Sequence, residues 1–150
     1  GPTLINQEAE TYCNSRFEFC IEYPSDILTD SKTSANGDGV IITDSENKAK
    51  VQVWGSNNAL KTTVEQEYKS ALNTVVKMGG KVEVMDVQRL DNFFEMTLQT
   101  KDSYIFYHSR ISDDRIVALM LETSNDEPKA ALASMNYLKN TIRLRVDEDL

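Results

Sequence analysis

The sequence has few of the residue types that most often carry chemistry: its 150 residues include one histidine, two cysteines and one tryptophan. It contains none of the G-x-S-x-G, P-loop, G-x-G-x-x-G or H-E-x-x-H motifs. A general base also needs a nucleophile and an orienting group within reach. We therefore expect His108 to be a structural or surface residue, and the sequence predicts no catalytic residue, no metal site and no cofactor.

Long apolar runs and an excess of positive charge are also lacking. No stretch reaches the roughly 20 apolar residues that a membrane-spanning helix needs. Lysine and arginine total 16 against 24 acidic residues, so the net charge is -8. An acidic surface repels phosphate backbones, which predicts no nucleic-acid partner. Two interpretations of the charge remain: a basic protein partner, or solubility alone.

The two cysteines, Cys13 and Cys20, are separated by six residues. The segment is typical of a strand, a polar turn at 14–16 and a second strand, and such a hairpin brings the cysteines together. A disulfide here would stabilise the fold by about 2–3 kcal/mol and would indicate a periplasmic, extracellular or lumenal location. The spacing does not fit a zinc site. The alternative is two buried free thiols.

The chain ends predict little structure of their own. Gly1-Pro2 is typical of a protease-cleavage remnant, and residues 1–10 are expected to form a flexible lead-in. We expect a signal sequence to have been removed, and a lipid anchor upstream remains an open alternative. The length and the 40% hydrophobic content predict one domain. We place that domain at 11–143, followed by an acidic tail at 144–150.

Two segments have the apolar spacing of amphipathic helices. The first begins at the capping box Thr62-x-x-Glu65 and ends at Gly79-Gly80. The second begins in the polar stretch 124–128, where proline is tolerated in the first turn. Its predicted buried face consists of Ala131, Met135, Leu138 and Ile142.

The remaining patterns predict strands, with a long loop at 29–39. Short turns join the last four strands, which must therefore run antiparallel. The strand at 115–123 is apolar on both faces and needs a layer on each side. The sequence thus predicts an α+β fold: a three-layer α/β/α sandwich with a mostly antiparallel central sheet and an N-terminal β-hairpin. The predicted strands are 11–14, 17–23, 40–43, 48–55, 82–89, 93–100, 103–111 and 115–123.

Four polar or aromatic residues are candidates for partner binding. Trp54 is predicted to lie opposite the core face of its strand, and a solvent-facing tryptophan is a natural interface anchor. Alternatively, it packs beneath the loop at 57–58 or beneath the second helix. Asn36, Asp38 and Asp44 lie in predicted loops and complete the candidate set.

The segment that begins at Ser34 is similar to a calcium-binding loop. It departs from that pattern because Ser34 replaces the first aspartate and Ser45 replaces the twelfth glutamate. Glycines at positions 37 and 39 suit the backbone of a turn. We expect a plain turn, with adventitious calcium binding as the alternative.

The run from Arg16 to Ser25 contains Phe17, Phe19, Tyr23 and Pro24 and resembles the F-x-F-x-x-x-Y-P hairpin of the PsbP-like superfamily. The order of predicted elements over 11–143 is similar to that family. The resemblance implies a bacterial envelope or secreted branch whose members bind proteins without catalysis. It provides no catalytic residues, and the chain lacks the basic features of plant members, so no photosystem role is implied.

Together these features favour a periplasmic or secreted protein-binding domain with a basic protein partner. In its most specific form it is an immunity-type antagonist of a secreted bacterial toxin, because the chain is acidic, small and without a catalytic set. The alternatives are a PsbP-like envelope lipoprotein or assembly factor, and, more remotely, an unrecognised hydrolase that would need a polar pocket around His108.

Overall fold

The structure, a computed structural model, describes residues 8–147. This part of the chain forms two helices and ten strands. No helix within it is long and apolar enough to cross a bilayer. In chain order the elements are β1 (Ala9–Asn14), β2 (Phe19–Pro24), β3 (Asp30–Thr33), β4 (Gly39–Thr43), β5 (Ala49–Asn57), α1 (Val64–Gly79), β6 (Glu83–Arg89), β7 (Phe93–Gln99), β8 (Ser103–Ile111), β9 (Arg115–Ser124), α2 (Pro128–Thr141) and β10 (Arg143–Val146).

The strands form two sheets. The larger has the order β3-β4-β5-β9-β8-β7-β6, and the smaller has the order β1-β2-β10. Every pairing between neighbouring strands is antiparallel, including the pairings from β6 to β9 that the short turns predict. The α+β class and the antiparallel sheet are therefore confirmed. The order places β9 near the centre of the larger sheet and β3 and β6 at its two edges.

Alternate residues of β9 belong to two different hydrophobic clusters, as expected because successive side chains of a strand point to opposite faces. Val117, Leu119 and Leu121 pack with buried residues of α2 and with β2. Ile116 and Met120 pack with buried residues of α1. Burying one such side chain contributes about 1.5–3 kcal/mol. The two-sided apolar character of this strand thus reflects a separate core on each face.

The small sheet contributes to the same cluster as α2. Phe17, Phe19, Ile21 and Tyr23 are all buried there. The strand predicted at 17–23 begins only at Phe19, because Glu18 has a positive φ of 55° and belongs to the turn. The aromatic residues of the N-terminal motif are therefore core residues.

Helix α1 begins one residue later than the predicted capping box. Thr63 is the N-cap: its side chain accepts from the Gln66 amide, and the Gln66 side chain accepts from the Thr63 amide. The predicted Thr62 and Glu65 pair is wrong. The Thr62 hydroxyl instead contacts the Asn58 side chain at 2.8 Å. The sequence offers two capping boxes, Thr62 with Glu65 and Thr63 with Gln66. The contact between Thr62 and Asn58 leaves Thr63 as the N-cap. The predicted end at Gly79 is confirmed.

Helix α2 has the predicted buried face but not the predicted cap. Ala131, Met135 and Leu138 are buried, whereas Ile142 is half-buried and ends the helix. The N-cap is Glu127, whose side chain makes no capping hydrogen bond, and Pro128 opens the first turn. Proline suits this position because its fixed φ is compatible with a helix and no amide is needed there.

Both chain ends differ from the prediction. Arg143–Val146 are not part of an acidic tail but form β10, which pairs antiparallel with β2. Val146 is 3% exposed and belongs to the core. At the other end, β1 already starts at Ala9, inside the predicted lead-in. Residues 1–7 and 148–150, which carry the rest of both predictions, lie outside the described residues.

The predicted loop at 29–39 contains a strand. Asp30–Thr33 form β3, which pairs with Val40–Thr43 of β4. All four residues of β3 are exposed and polar. A strand without an apolar face has no alternating pattern, so only its pairing identifies it.

Candidate functional site

Cys13 and Cys20 form a disulfide across the β1–β2 pair, as predicted. The two residues are direct partners in the strand register, and their Cα atoms are 4.1 Å apart. The chain therefore has no free cysteine, and the interpretation as two buried thiols is wrong. The bond closes the hairpin next to its turn.

The hairpin turn holds the loop that contains Asn36 and Asp38. Asn14 donates from Nδ2 to the Gly37 carbonyl at 2.9 Å, and Arg16 donates from Nη1 to the Asn36 carbonyl at 2.9 Å. The Asp38 carboxylate accepts from the Ser34 hydroxyl at 2.6 Å. Within residues 8–147 no group of three His, Cys, Asp or Glu residues is placed to hold a metal ion. These hydrogen bonds hold the backbone of the turn in place.

Asp44 lies at the opposite end of β4. Its carboxylate accepts from the backbone amides of Lys48 and Ala49 at 2.8 and 3.1 Å, which closes the β4–β5 turn. The structure thus brings Asn36 and Asp38 together and leaves Asp44 at the far end of the strand. Its role in partner binding stays a prediction.

Trp54 is half-buried and packs against the core on the α1 side. It lies opposite Gly39 in the register, and its ring makes an edge contact with Tyr107 at 6.0 Å between centroids. It therefore lies neither beneath the second helix nor fully in solvent. The role of Trp54 in partner binding stays a prediction.

A different surface stands out at the edge of the larger sheet. All seven residues of β6 are exposed, and β7 is the only strand within residues 8–147 that pairs with it. Val84 is 41% exposed and Val87 is 37% exposed, and Met85 lies between them at an irregularity in the pairing. Single exposed apolar residues are ordinary, but several side by side on an edge strand mark an interaction surface.

The strand register shows which way these valines point. Val84 lies opposite Leu98, and Val87 lies opposite Met96. Directly opposed residues of an antiparallel pair share a face. Leu98 and Met96 pack in the cluster that contains the buried residues of α1. The exposed valines therefore lie on the α1 face of the sheet, beyond the covered core.

Helix α1 borders the same surface. Arg89 at the end of β6 pairs with Glu65 at 3.1 Å and lies over the Tyr68 ring at 4.8 Å. Positions four residues apart share a helix face, so Leu72 and Val76 continue the Tyr68 side of α1 along β6. Val76 is 41% exposed. We call Leu72, Val76, Val84 and Val87 the edge patch.

The other sheet edge provides a contrast. Strand β3 is equally exposed, but its residues Asp30, Ser31, Lys32 and Thr33 are all polar. Charged and polar side chains on a short edge strand discourage pairing with another chain. Of the two edges of the larger sheet, only the β6 edge combines an open backbone with exposed apolar side chains.

A second feature is a pocket between α2 and the sheet, where His108 lies. His108 faces Glu95 across the β7–β8 pair, and its Nδ1 is 2.9 Å from a Glu95 carboxylate oxygen. The His108 side chain is 14% exposed and rests against the Phe93 ring. Burial lowers the pKa of His108 below its usual range, although the Glu95 carboxylate acts in the opposite direction.

The pocket has a volume of about 220 Å³. Phe106, Leu119 and Leu121 form apolar walls, and Lys139 extends over the Phe106 ring at 4.7 Å. The described lining contains no serine, threonine or cysteine. His108 and Glu95 therefore resemble a base with its orienting group, but none of the described residues that line the pocket supplies a nucleophilic hydroxyl or thiol. The remaining lining residues are Arg110, Asn140, Ile142 and Leu144.

Sequence reasoning missed both surfaces for one reason. The edge patch depends on strand order, which makes β6 an outer strand, and the His108 pair depends on the register between β7 and β8. The available signal was the short turn at 101–102, which predicts antiparallel pairing and so places Glu95 and His108 on neighbouring strands.

Comparison with known proteins shows similarity in structure but not in sequence. No family model matches the chain, and no curated protein matches it. The solution structure of cyanobacterial PsbP (CyanoP) from Synechocystis sp. PCC 6803 superposes with a TM-score of 0.66 at 12% sequence identity. The match covers 97% of this chain and 96% of the other. The chain has a PsbP-like fold.

Proposed function

We propose that this chain is a non-enzymatic, extracytoplasmic protein-binding domain that takes an extended basic segment of its partner at the β6 edge. One observation carries the proposal: all seven residues of β6 are exposed, and Val84 and Val87 of the edge patch lie beside a backbone edge that no described strand covers. The Cys13–Cys20 disulfide supports a location outside the cytoplasm.

The binding mode that fits this surface is the addition of a strand. An extended peptide pairs its backbone with the open edge, and its alternate side chains enter neighbouring apolar sites. The pairing between β6 and β7 is regular from Asp86 to Arg89, whereas a bulge interrupts it at Met85. We expect the partner strand to pair with the regular stretch and to place an apolar side chain between Val87 and Val76.

Charge favours a basic partner over a second copy. Each copy carries a net charge of -8, so edge-to-edge pairing of two copies brings like charges together. On β6, Arg89 is already paired with Glu65. Glu83 and Asp86 make no ion pair among the described residues and are available to lysines or arginines of a partner. Complementary charges of this kind accelerate association and discriminate between partners.

In its more specific form, the proposal is that the partner is a basic secreted bacterial toxin and that this chain is its immunity protein. The two cores support a three-layer arrangement in which α1 and α2 cover opposite faces of the larger sheet, a rigid scaffold for an edge. An envelope lipoprotein or assembly factor of PsbP type is the alternative, and it would use the same edge.

The test is a nuclear magnetic resonance titration of the labelled protein with a short peptide in which valine and lysine alternate. We expect chemical-shift changes and slower amide exchange at β6 and the edge patch. A peptide with glutamate in place of lysine controls for charge, and Val87→Asp should abolish the changes, whereas Ser31→Asp on the other edge should not. Changes confined to other strands, equal binding of the glutamate peptide, or dimerisation through β6 would each refute the proposal.

A further inference from the structure

We propose that the pocket between α2 and β8 is a second binding site, which takes a small molecule with a carboxylate attached to an aromatic or branched aliphatic body. Lys139 would bind the carboxylate, and Phe106, Leu119 and Leu121 would bind the apolar body. This site is separate from the β6 edge, because it lies on the α2 face of the sheet whereas the edge patch lies on the α1 face.

The residues that line the pocket are of the types found in ligand sites. Ligand sites are concave and mostly apolar, with a few polar groups that fix the orientation of the ligand. Here the apolar wall of Phe106, Leu119 and Leu121 is continuous with the hydrophobic core. The polar groups come from three elements: Glu95 from β7, His108 and Arg110 from β8, and Lys139 and Asn140 from α2.

Lys139 lies where it can bind an anionic group in the pocket. Its ammonium group lies 4.7 Å from the centre of the Phe106 ring, so the charge is held over the apolar wall. Among the described residues it pairs with no carboxylate, whereas Glu95 is occupied by His108 at 2.9 Å. A cation held over an apolar surface is suited to an anionic group with an apolar body attached.

The volume of the pocket also suits a small molecule. The pocket, at about 220 Å³, is larger than the apolar cavity of about 150 Å³ that accepts benzene. A benzoate or a branched carboxylic acid therefore fits. The amide of Asn140 adds a neutral donor beside Lys139 for the second carboxylate oxygen.

The experiment is a titration of the intact protein with benzoate, followed by the methyl signals of Leu119 and Leu121 and the ring signals of Phe106. Benzamide, which has the same body without the charge, is the matched probe. We expect saturable shifts at these residues with benzoate and at least about tenfold weaker binding of benzamide, because a hydrogen bond to a charged group is stronger than one between neutral groups.

Two exposed positions on α2 provide the variant and its control. Lys139→Gln keeps most of the aliphatic side chain and removes the charge. It should lower the affinity for benzoate at least about tenfold. Lys129→Gln lies outside the pocket and should leave the affinity unchanged. Both side chains are exposed, so both variants should fold. Shifts that do not saturate, equal affinities for benzoate and benzamide, or unchanged binding in Lys139→Gln would overturn the proposal.

Discussion

Phe17 lies directly on Gly55, so that a Cβ atom at position 55 would overlap the Phe17 side chain. Phe17 belongs to the hairpin turn and Gly55 to the C-terminal half of β5 in the larger sheet. The contact joins the two sheets at a point where only a hydrogen atom fits. Phe17 is 4% exposed and part of the core, and it cannot move aside without opening that core.

Replacement of Gly55 by alanine is therefore expected to destabilise the protein. Overpacking of a core site costs about 1–3 kcal/mol, and here the overlap is with a buried ring. Urea denaturation measures the free energy of unfolding. Ser56→Ala, one residue further and exposed, is the control and should change it by less than about 0.5 kcal/mol. Similar values for both variants would show that Phe17 is free to move.

Removal of the disulfide is expected to cost about 2–3 kcal/mol, because the bond restricts a short loop of the unfolded chain. The double variant Cys13→Ala, Cys20→Ala isolates this effect. Its free energy of unfolding should be lower than that of the oxidised protein and insensitive to added reductant. A reductant effect in the double variant, or no loss of stability, would contradict the assignment.

Strand β10 provides a test of the corrected C-terminal boundary. Val146 is 3% exposed and packs in the core shared by β2 and α2. Val146→Ala removes two buried methyl groups and should cost about 1–3 kcal/mol. Arg145→Ala is the control, because Arg145 is exposed on the same strand. A mobile tail would make both substitutions neutral in thermal unfolding.

The pH dependence of stability follows from His108. Its pKa is lowered in the folded protein by burial, so the unfolded chain binds the proton more readily. The contribution to stability is then fully present above about pH 6.5, the ordinary histidine value, and it is lost as the pH falls toward the folded pKa. His108→Gln should flatten this dependence in urea denaturation across that window.

The same residue allows a direct measurement, since it is the only histidine in the chain. The imidazole proton signals should titrate with a midpoint below about 6.5. In Glu95→Gln the midpoint should fall further, because the carboxylate that favours the charged imidazole is gone. A midpoint at or above the ordinary value would mean that the Glu95 contact outweighs burial.

Much of the fold is predictable because its signals are local. Helix α1 ends at Gly79 where glycines follow, and the buried face of α2 recurs at helical spacing. Short turns require the strands from β6 to β9 to be antiparallel. The cysteine spacing within one hairpin predicts the disulfide. Each of these inferences depends on residues close together in the sequence.

The candidate sites are less predictable because they depend on which strands become neighbours in the sheet. Of the four residues proposed for partner binding, Asn36 and Asp38 share one loop, Asp44 lies at the other end of β4, and Trp54 is packed against Tyr107. The edge patch contains apolar residues that a sequence pattern assigns to a core. Val84 and Val87 are exposed because β6 is the outer strand of the larger sheet.

The sequence by itself thus determined the α+β class, the two helices, the antiparallel meander and the disulfide, because periodicity, capping and turn length act within a few residues. Tertiary structure alone decided that Arg143–Val146 pair with β2, that β6 is an open edge, and that Glu95 meets His108. These features depend on which strands become neighbours, and that choice is made by burial of the whole core.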